Sequence, residues 1–287
     1  MPSAHAIERE YRVIEALSGS GVPVPRVHVL CEDLAVIGTA FYVMEFVEGR
    51  AFIDPSLPGM APAARAAIYD ELNRVISALH RVDFVAADLA DFGRTGNYLE
   101  RQIERWTRQY RAGETERIDA MERLIEWLPA HLPAGDETAL VHGDYRIDNV
   151  IFHPVEPRIL AVLDWELSTL GHPLADFAYH CVSWRVTPEE FRGLKGHDLA
   201  ALGIPAETAS LDTYCKRARR DALPHRDYYL AFNMFRMAAI LQGILARAGG
   251  QRRRRRCAAH GPAGQADGRG RVAAGGAGHG AMRQPGF

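Results

Sequence analysis

A short stretch near the middle of the chain, Val141-His-Gly-Asp-Tyr-Arg-Ile-Asp-Asn149, is dense in residues that can move protons or hold cations, and a further carboxylate follows at Asp164. Between them lie two apolar runs, Val150-Ile-Phe-His153 and Arg158-Ile-Leu-Ala-Val-Leu163, separated by a turn containing Pro154 and Pro157. That pattern predicts a β-hairpin. In an antiparallel hairpin the residue entering the first strand lies beside the residue leaving the second, so Asn149 and Asp164 meet at its open end. An amide oxygen and a carboxylate side by side are hard ligands suited to Mg²⁺, which keeps its other positions for water and phosphate. Asp144, five residues before Asn149, is placed to accept a hydroxyl proton and orient the attacking oxygen. Arg146 and Asp148 share the loop and are candidates for substrate contact, while His142 either packs the loop or acts directly.

These residues need a frame, and hydrophobic periodicity supplies it. Ile7, Tyr11, Ile14 and Leu17 recur at helical spacing until Gly19 and Gly21 stop the pattern. Val22-Pro-Val-Pro-Arg-Val27 is extended chain. Ala40-Phe-Tyr-Val-Met-Glu-Phe-Val47 reads as a strand that ends at Glu48-Gly49. From about residue 61 the chain is mostly helical: Ile68, Leu72, Val75, Ile76 and Leu79 form a core-facing stripe. Further helices are expected near 173–184, 206–217 and 224–248. Asp176 opens the first of these after Pro173, where the helix dipole favours an acid. Tyr98, Trp106, Trp127, Tyr228 and Tyr229 read as core rather than as binding residues. The class is α+β, with a partial β lobe over 1–48, a mostly helical lobe over 49–248 and an Arg/Gly/Ala-rich tail over 249–287.

Composition excludes several functions. Hydrophobic residues are 47% and charged residues 24% of 287, ordinary for a globular protein. The net charge is −2; the eight arginines and one aspartate beyond Ala248 carry +7 of it, which leaves −9 on the rest. An acidic body does not point to nucleic acid as a partner. Cysteines at 31, 181, 215 and 257 form no C-x-x-C pair, so neither a zinc site nor a disulfide framework is expected. With no uninterrupted apolar run of membrane length and no leader pattern, a cytoplasmic protein without a membrane partner is expected. The tail, with 11 of the 26 glycines and no apolar period, is expected to be disordered. Translation in a shifted reading frame accounts for it better than a phosphate-binding arm does.

The pattern H-G-D-x-x-x-x-N, a hairpin, then an Asp resembles the aminoglycoside phosphotransferase and choline kinase group over residues 5–248. It is also similar to the protein-kinase catalytic loop and its following metal-binding Asp. The resemblance implies a protein-kinase-like two-lobe fold and an ATP- and Mg²⁺-dependent kinase acting on a hydroxyl of a small molecule. Asp144 is then the catalytic base, Asn149 and Asp164 bind Mg²⁺, His142 braces the loop, and Asp176 supports it from beneath. Residues 41–49 resemble the linker between kinase lobes, where Glu45, Phe46 and Val47 would meet adenine through main-chain groups. Glu10 matches the helix glutamate that pairs with a phosphate-binding lysine.

That lysine and the small-residue loop over the phosphates precede the helix in the family, whereas this sequence opens at the helix. The expectation is a start codon placed late or a truncated gene. The alternative to an active kinase is therefore a catalytically impaired or non-catalytic remnant with an incomplete N-terminal β lobe. Leu163-Asp-Trp-Glu-Leu-Ser-Thr-Leu-Gly-His-Pro-Leu-Ala-Asp-Phe-Ala178 most resembles the subgroup related to phosphotransferase domains fused to acyl-CoA dehydrogenases. That resemblance implies a hydroxylated acyl thioester as acceptor; the acidic body would suit a cationic one.

Overall fold

The computed structural model describes residues 7–259, with side chains described through residue 246. Contacts divide the chain into a unit of residues 1–246 and a second of 247–287. In order, the elements are α1 (Ile7–Leu17), β1 (Val27–Cys31), α2 (Leu34–Ile37), β2 (Phe41–Met44), α3 (Pro62–Leu79), α4 (Tyr98–Ala112), α5 (Asp119–Ala130) and β3 (Ala139–Val141). They continue with β4 (Val150–Phe152), β5 (Ile159–Val162), β6 (Thr169–Gly171), α6 (Pro173–Cys181), α7 (Pro188–Phe191), α8 (Leu199–Leu202), α9 (Glu207–Ala218) and α10 (Arg226–Ala259). Among the described residues the strands form three antiparallel pairs, β1–β2, β3–β6 and β4–β5.

The first helix buries Val13, Ile14 and Leu17 against the β1–β2 pair and the turn at 165–167. Strand β2 ends at Met44, short of the residue 47 read from sequence. Just beyond it Glu45 still pairs with Arg26, the residue before β1: its N–H donates to Arg26 O (2.8 Å) and its carboxylate accepts from Arg26 N (2.9 Å). The helix stripe Ile68, Leu72, Val75, Ile76 and Leu79 is at most 1% exposed. Each such side chain contributes roughly 1.5–3 kcal/mol relative to exposure. Asn73 fixes α3 to α9 by donating to Ser210 O at 2.8 Å.

The hairpin expected at 150–163 is present, with Val150 opposite Val162 and Ile151 opposite Ala161. Arg50 exchanges two main-chain hydrogen bonds of 2.8 Å with Phe152, so the segment after β2 lies along β4. Only glycine fits at position 49, where a Cβ would sit 2.3 Å from Phe152 O. This stitches the chain between the lobes to the hairpin that carries the candidate metal ligands.

The stretch Arg226–Ala246 of α10 is long and apolar enough to cross a membrane, with a mean hydropathy of 1.3, but half of it is buried in the protein. Buried Asn233 and Arg236 donate to Ala175 O and Gly143 O, which packs this stretch as a core helix. Trp106, Tyr228 and Tyr229 are core residues as expected, but Trp127 is 38% exposed and stacks on His131. Helix α10 runs to Ala259, past the boundary at 248 drawn from sequence, and takes in the arginines at 252–256. The rest of the expected tail, 260–287, lies outside the described residues.

Candidate active site

The loop from His142 to Asn149 is held from below by one carboxylate. Asp176, in the first turn of α6, accepts the main-chain N–H of His142 (2.9 Å) and of Gly143 (2.8 Å). It also accepts His80 Nε2 at 3.1 Å, both side chains being 2% exposed. Burial alone would raise the Asp176 carboxyl, but its hydrogen bonds and the nearby histidines hold it below the usual carboxylate range. His80 reaches it from the end of α3 and is oriented by Tyr214 O–H at 2.8 Å. Gly143 has φ +83°, and a Cβ there would lie 2.7 Å from Leu167 O, so the loop can pass only as glycine.

Both ring nitrogens of His142 are engaged. Nδ1 accepts the Asp144 N–H at 3.2 Å, and Nε2 donates to Leu163 O at 2.9 Å. The ring is fully buried and burial lowers its pKa, so it is a neutral brace between the loop and the end of the hairpin. Tyr145 locks the other flank by donating to Leu72 O at 3.0 Å.

Asn149 donates from Nδ2 to Asp144 O (2.9 Å) and Asp144 Oδ2 (3.0 Å), which leaves its amide oxygen as the atom available to a cation. Its main-chain oxygen accepts Leu163 N–H at 2.8 Å, so Asn149 and the residue before Asp164 are neighbours across the hairpin end, as the register argument requires. Asp164 adopts the left-handed conformation (φ +65°), which Asp tolerates better than most residues. Trp165 behind it is 1% exposed and donates Nε1–H to Val162 O, forcing the exposed Asp164 outward. Among the described residues no group of three or more His, Cys, Asp or Glu side chains suits a metal. The donor set of one carboxylate and one amide fits a hard cation that retains other oxygen ligands.

Arg146 Nε lies 3.5 Å from Asp144 Oδ1, and its Nη2 lies 2.9 Å from Asp148 Oδ2. Arg192 reaches the same Asp148 oxygen at 3.0 Å. Tyr179, three residues after Asp176, interacts with Asp144 through its hydroxyl, and burial pushes that hydroxyl well above the usual range. Arg236 on α10 donates to Gly143 O, with its guanidinium 5.4 Å from the Trp106 ring centre and 5.0 Å from that of Tyr179.

Phe46 is 92% exposed. Neither Phe46 nor Val47 spends a main-chain group on hydrogen bonds within the described residues, whereas the Glu45 N–H is committed to Arg26. Glu10 on α1 accepts from Tyr42 O–H at 3.2 Å. Burial, Glu10 and then Asp164 push the Tyr42 hydroxyl up to about 12, which places Glu10, Tyr42 and Asp164 in one electrostatic neighbourhood.

His80, Tyr179, Arg192 and Arg236 were not found from sequence. The signal for Arg236 was a lone arginine in the apolar run Leu230-Ala-Phe-Asn-Met-Phe-Arg-Met-Ala-Ala-Ile-Leu241, where a charge implies a buried partner.

Residues 2–214 match the family described as phosphotransferase enzyme family. Acyl-CoA dehydrogenase family member 10 of Mus musculus is 52% identical over 250 residues, covering 86% of this chain and 23% of that protein. Acyl-CoA dehydrogenase family member 11 of Homo sapiens is 42% identical over 252 residues, covering 86% and 32%. The chain thus spans about a quarter to a third of the length of these relatives. A crystal structure from Ralstonia eutropha, designated an aminoglycoside phosphotransferase, is 60% identical with a TM-score of 0.83, covering 85% of this chain and 75% of that one. The GDP complex of an aminoglycoside 2'-phosphotransferase is 15% identical over 85% and 77% of the two chains, with a TM-score of 0.60; at that distance the fold alone is shared. The chain has the kinase-like fold of these neighbours and belongs to the phosphotransferase enzyme family.

Proposed function

We propose that this chain transfers the γ-phosphate of ATP to a hydroxyl of a small molecule. The observation that carries this reading is the convergence of Asp144, the Asn149 amide oxygen and the end of the hairpin at Asp164 on one loop braced by Asp176 and His142. Asp144, with a side chain 19% exposed, orients the acceptor hydroxyl and takes its proton as the new bond to phosphorus forms. Arg146, 3.5 Å from Asp144 Oδ1, helps hold that carboxylate in position, and the proton then passes from Asp144 to solvent. Asn149 and Asp164 would hold Mg²⁺, which when bound offsets the negative charge of the phosphate oxygens. The uncommitted main-chain groups of Phe46 and Val47 suit the edge of an adenine ring. Glu10 and Tyr42 lie on the Asp164 side, where a phosphate-binding cation would be received. The names of the curated relatives favour a hydroxylated acyl thioester as acceptor.

The test has two parts. Titration of Mg·ATP into the full chain should release or absorb heat, and EDTA should abolish the signal. Asp144→Ala should keep that binding and lose about 10²–10⁴ in turnover on a hydroxyacyl thioester. Full turnover by this variant would reject the assignment of the base, and absence of any binding heat would place the chain with non-catalytic members.

A further inference from the structure

Against the catalytic loop, on the Arg146 side, lies a cavity of about 50 Å³, enough for about four water-sized groups. Its walls are mainly apolar: Leu72, Ile147, Val186, Phe191 and Met237 come from four separate stretches of chain. A polar remainder is concentrated on Arg146, Asp148, Tyr179 and His180. Tyr179 interacts with Asp144 and also lines the cavity, so one side chain joins the cavity wall to the candidate base.

One nitrogen on its lining residues, His180 Nε2, is buried without a hydrogen-bond partner. His180 is only 5% exposed and is enclosed by the rings of Tyr145, Phe177 and Trp184 at 5.5–6.0 Å. Burial pushes its imidazole down to about 4, so the ring is neutral at neutral pH. Buried polar atoms in folded proteins are nearly always paired. Phenylalanine would fill a similar space with no orphaned nitrogen, so a histidine here is explained by a partner that arrives from outside. Charge at the rim narrows the partner's chemistry. Asp148 already faces two guanidiniums, of Arg146 and Arg192, so the rim offers no uncompensated carboxylate to a polycation.

We propose that this cavity seats an aliphatic segment of the phosphate acceptor, and that His180 Nε2 hydrogen-bonds an oxygen carried on that segment. The acceptor is then an aliphatic alcohol with a second oxygen function, neutral or anionic, and His180 determines specificity for that oxygen. The description of the occupant as acceptor rests on the phosphotransferase reading; the site itself does not.

The experiment uses the full chain labelled with ¹⁵N-histidine, titrated with hexanediols from the 1,2- to the 1,6-isomer and with hexan-1-ol as the one-oxygen control. At least one diol should shift the His180 imidazole resonance and bind about tenfold more tightly than hexan-1-ol. In His180→Leu that advantage should vanish while hexan-1-ol still binds. His180→Gln, which keeps a donor and an acceptor, should retain part of the advantage and serves if the leucine variant does not fold. Equal affinity for diols and hexan-1-ol in the wild type, or an advantage that survives in His180→Leu, overturns the proposal. ADP release with Mg·ATP and the best diol separates the two readings. Binding that depends on His180 without turnover keeps the site and removes the kinase reading. Turnover whose KM ignores His180 keeps the kinase and removes the site.

Discussion

Asp176→Asn is the most informative single change in this protein, because the substitution preserves shape and alters only charge and one hydrogen-bonding direction. The carboxylate accepts three donors, two from the main chain of the catalytic loop and one from His80. An amide oxygen placed at the Oδ2 position still accepts His142 N–H and His80, but the amide NH₂ then faces the Gly143 N–H, donor against donor. Losing one charge-assisted bond costs about 1.5–3 kcal/mol, and leaving a buried donor unpaired adds to it. A total of roughly 2–4 kcal/mol follows, which for a domain of this size lowers Tm by about 5–15 °C. The sign with pH is also defined. Asp176 is held below the usual carboxylate range, so its contribution is present above the unfolded pKa of about 3.9 and is lost as pH falls through the folded value. Circular-dichroism melts of wild type and variant should therefore stay apart at pH 5–8 and converge in stronger acid. Equal melting at pH 7, or a gap that widens in acid, would refute the view that this carboxylate holds the loop.

Arg236→Met should keep most of the packing on Trp106 and Tyr179 but release Gly143 O; turnover on a hydroxyacyl thioester should fall about tenfold, with Mg·ATP affinity unchanged by calorimetry. A parallel loss of nucleotide affinity would show that Arg236 acts elsewhere. His172 and His180 are both pushed down to about 4 by burial, so the unfolded chain binds more protons than the native one between pH 6.5 and 4. Stability should be full above pH 6.5 and fall as pH drops, by about 2 kcal/mol for each residue at pH 5. The urea midpoint at pH 7 and pH 5 measures this, and a midpoint unchanged between them would contradict neutral burial of the two rings.

The parts of the site legible in the sequence are those whose partners are close along the chain. Asp144, Asn149 and Asp164 belong to one loop and one hairpin, and alternation with a proline turn was enough to bring the hairpin ends together. Asp176 was legible as a first-turn acid, and its support of the loop was implied by family resemblance. What escaped were contacts between distant elements. His80 reaches Asp176 from α3 across 96 positions, and Arg236 reaches Gly143 from α10 across 93. Periodicity tells that such helices are buried on one face but not which loop that face meets. The end of β2 was misplaced for a related reason. Phe46 and Val47 have strand-forming side chains, yet among the described residues the ladder makes its last main-chain bond at Glu45 and none reaches them.

One helix face on α6 links matters that would otherwise be separate. Asp176, Tyr179 and His180 follow the i, i+3, i+4 spacing that puts side chains on a common face. The first fixes the loop's backbone, the second faces the candidate base and the third lines the cavity. Divergence among relatives of this chain should follow that linkage. A lineage that acquires a new acceptor by changing position 179 or 180 works on the same helical turn that secures the loop, and each step risks the catalytic machinery. Changes at Phe191 or Met237 reshape the same cavity at positions whose own side chains make no hydrogen bond to the loop, the loop contacts of those helices being made by the neighbouring Arg192 and Arg236. New specificities should therefore arise first at those two positions, with α6 drifting least.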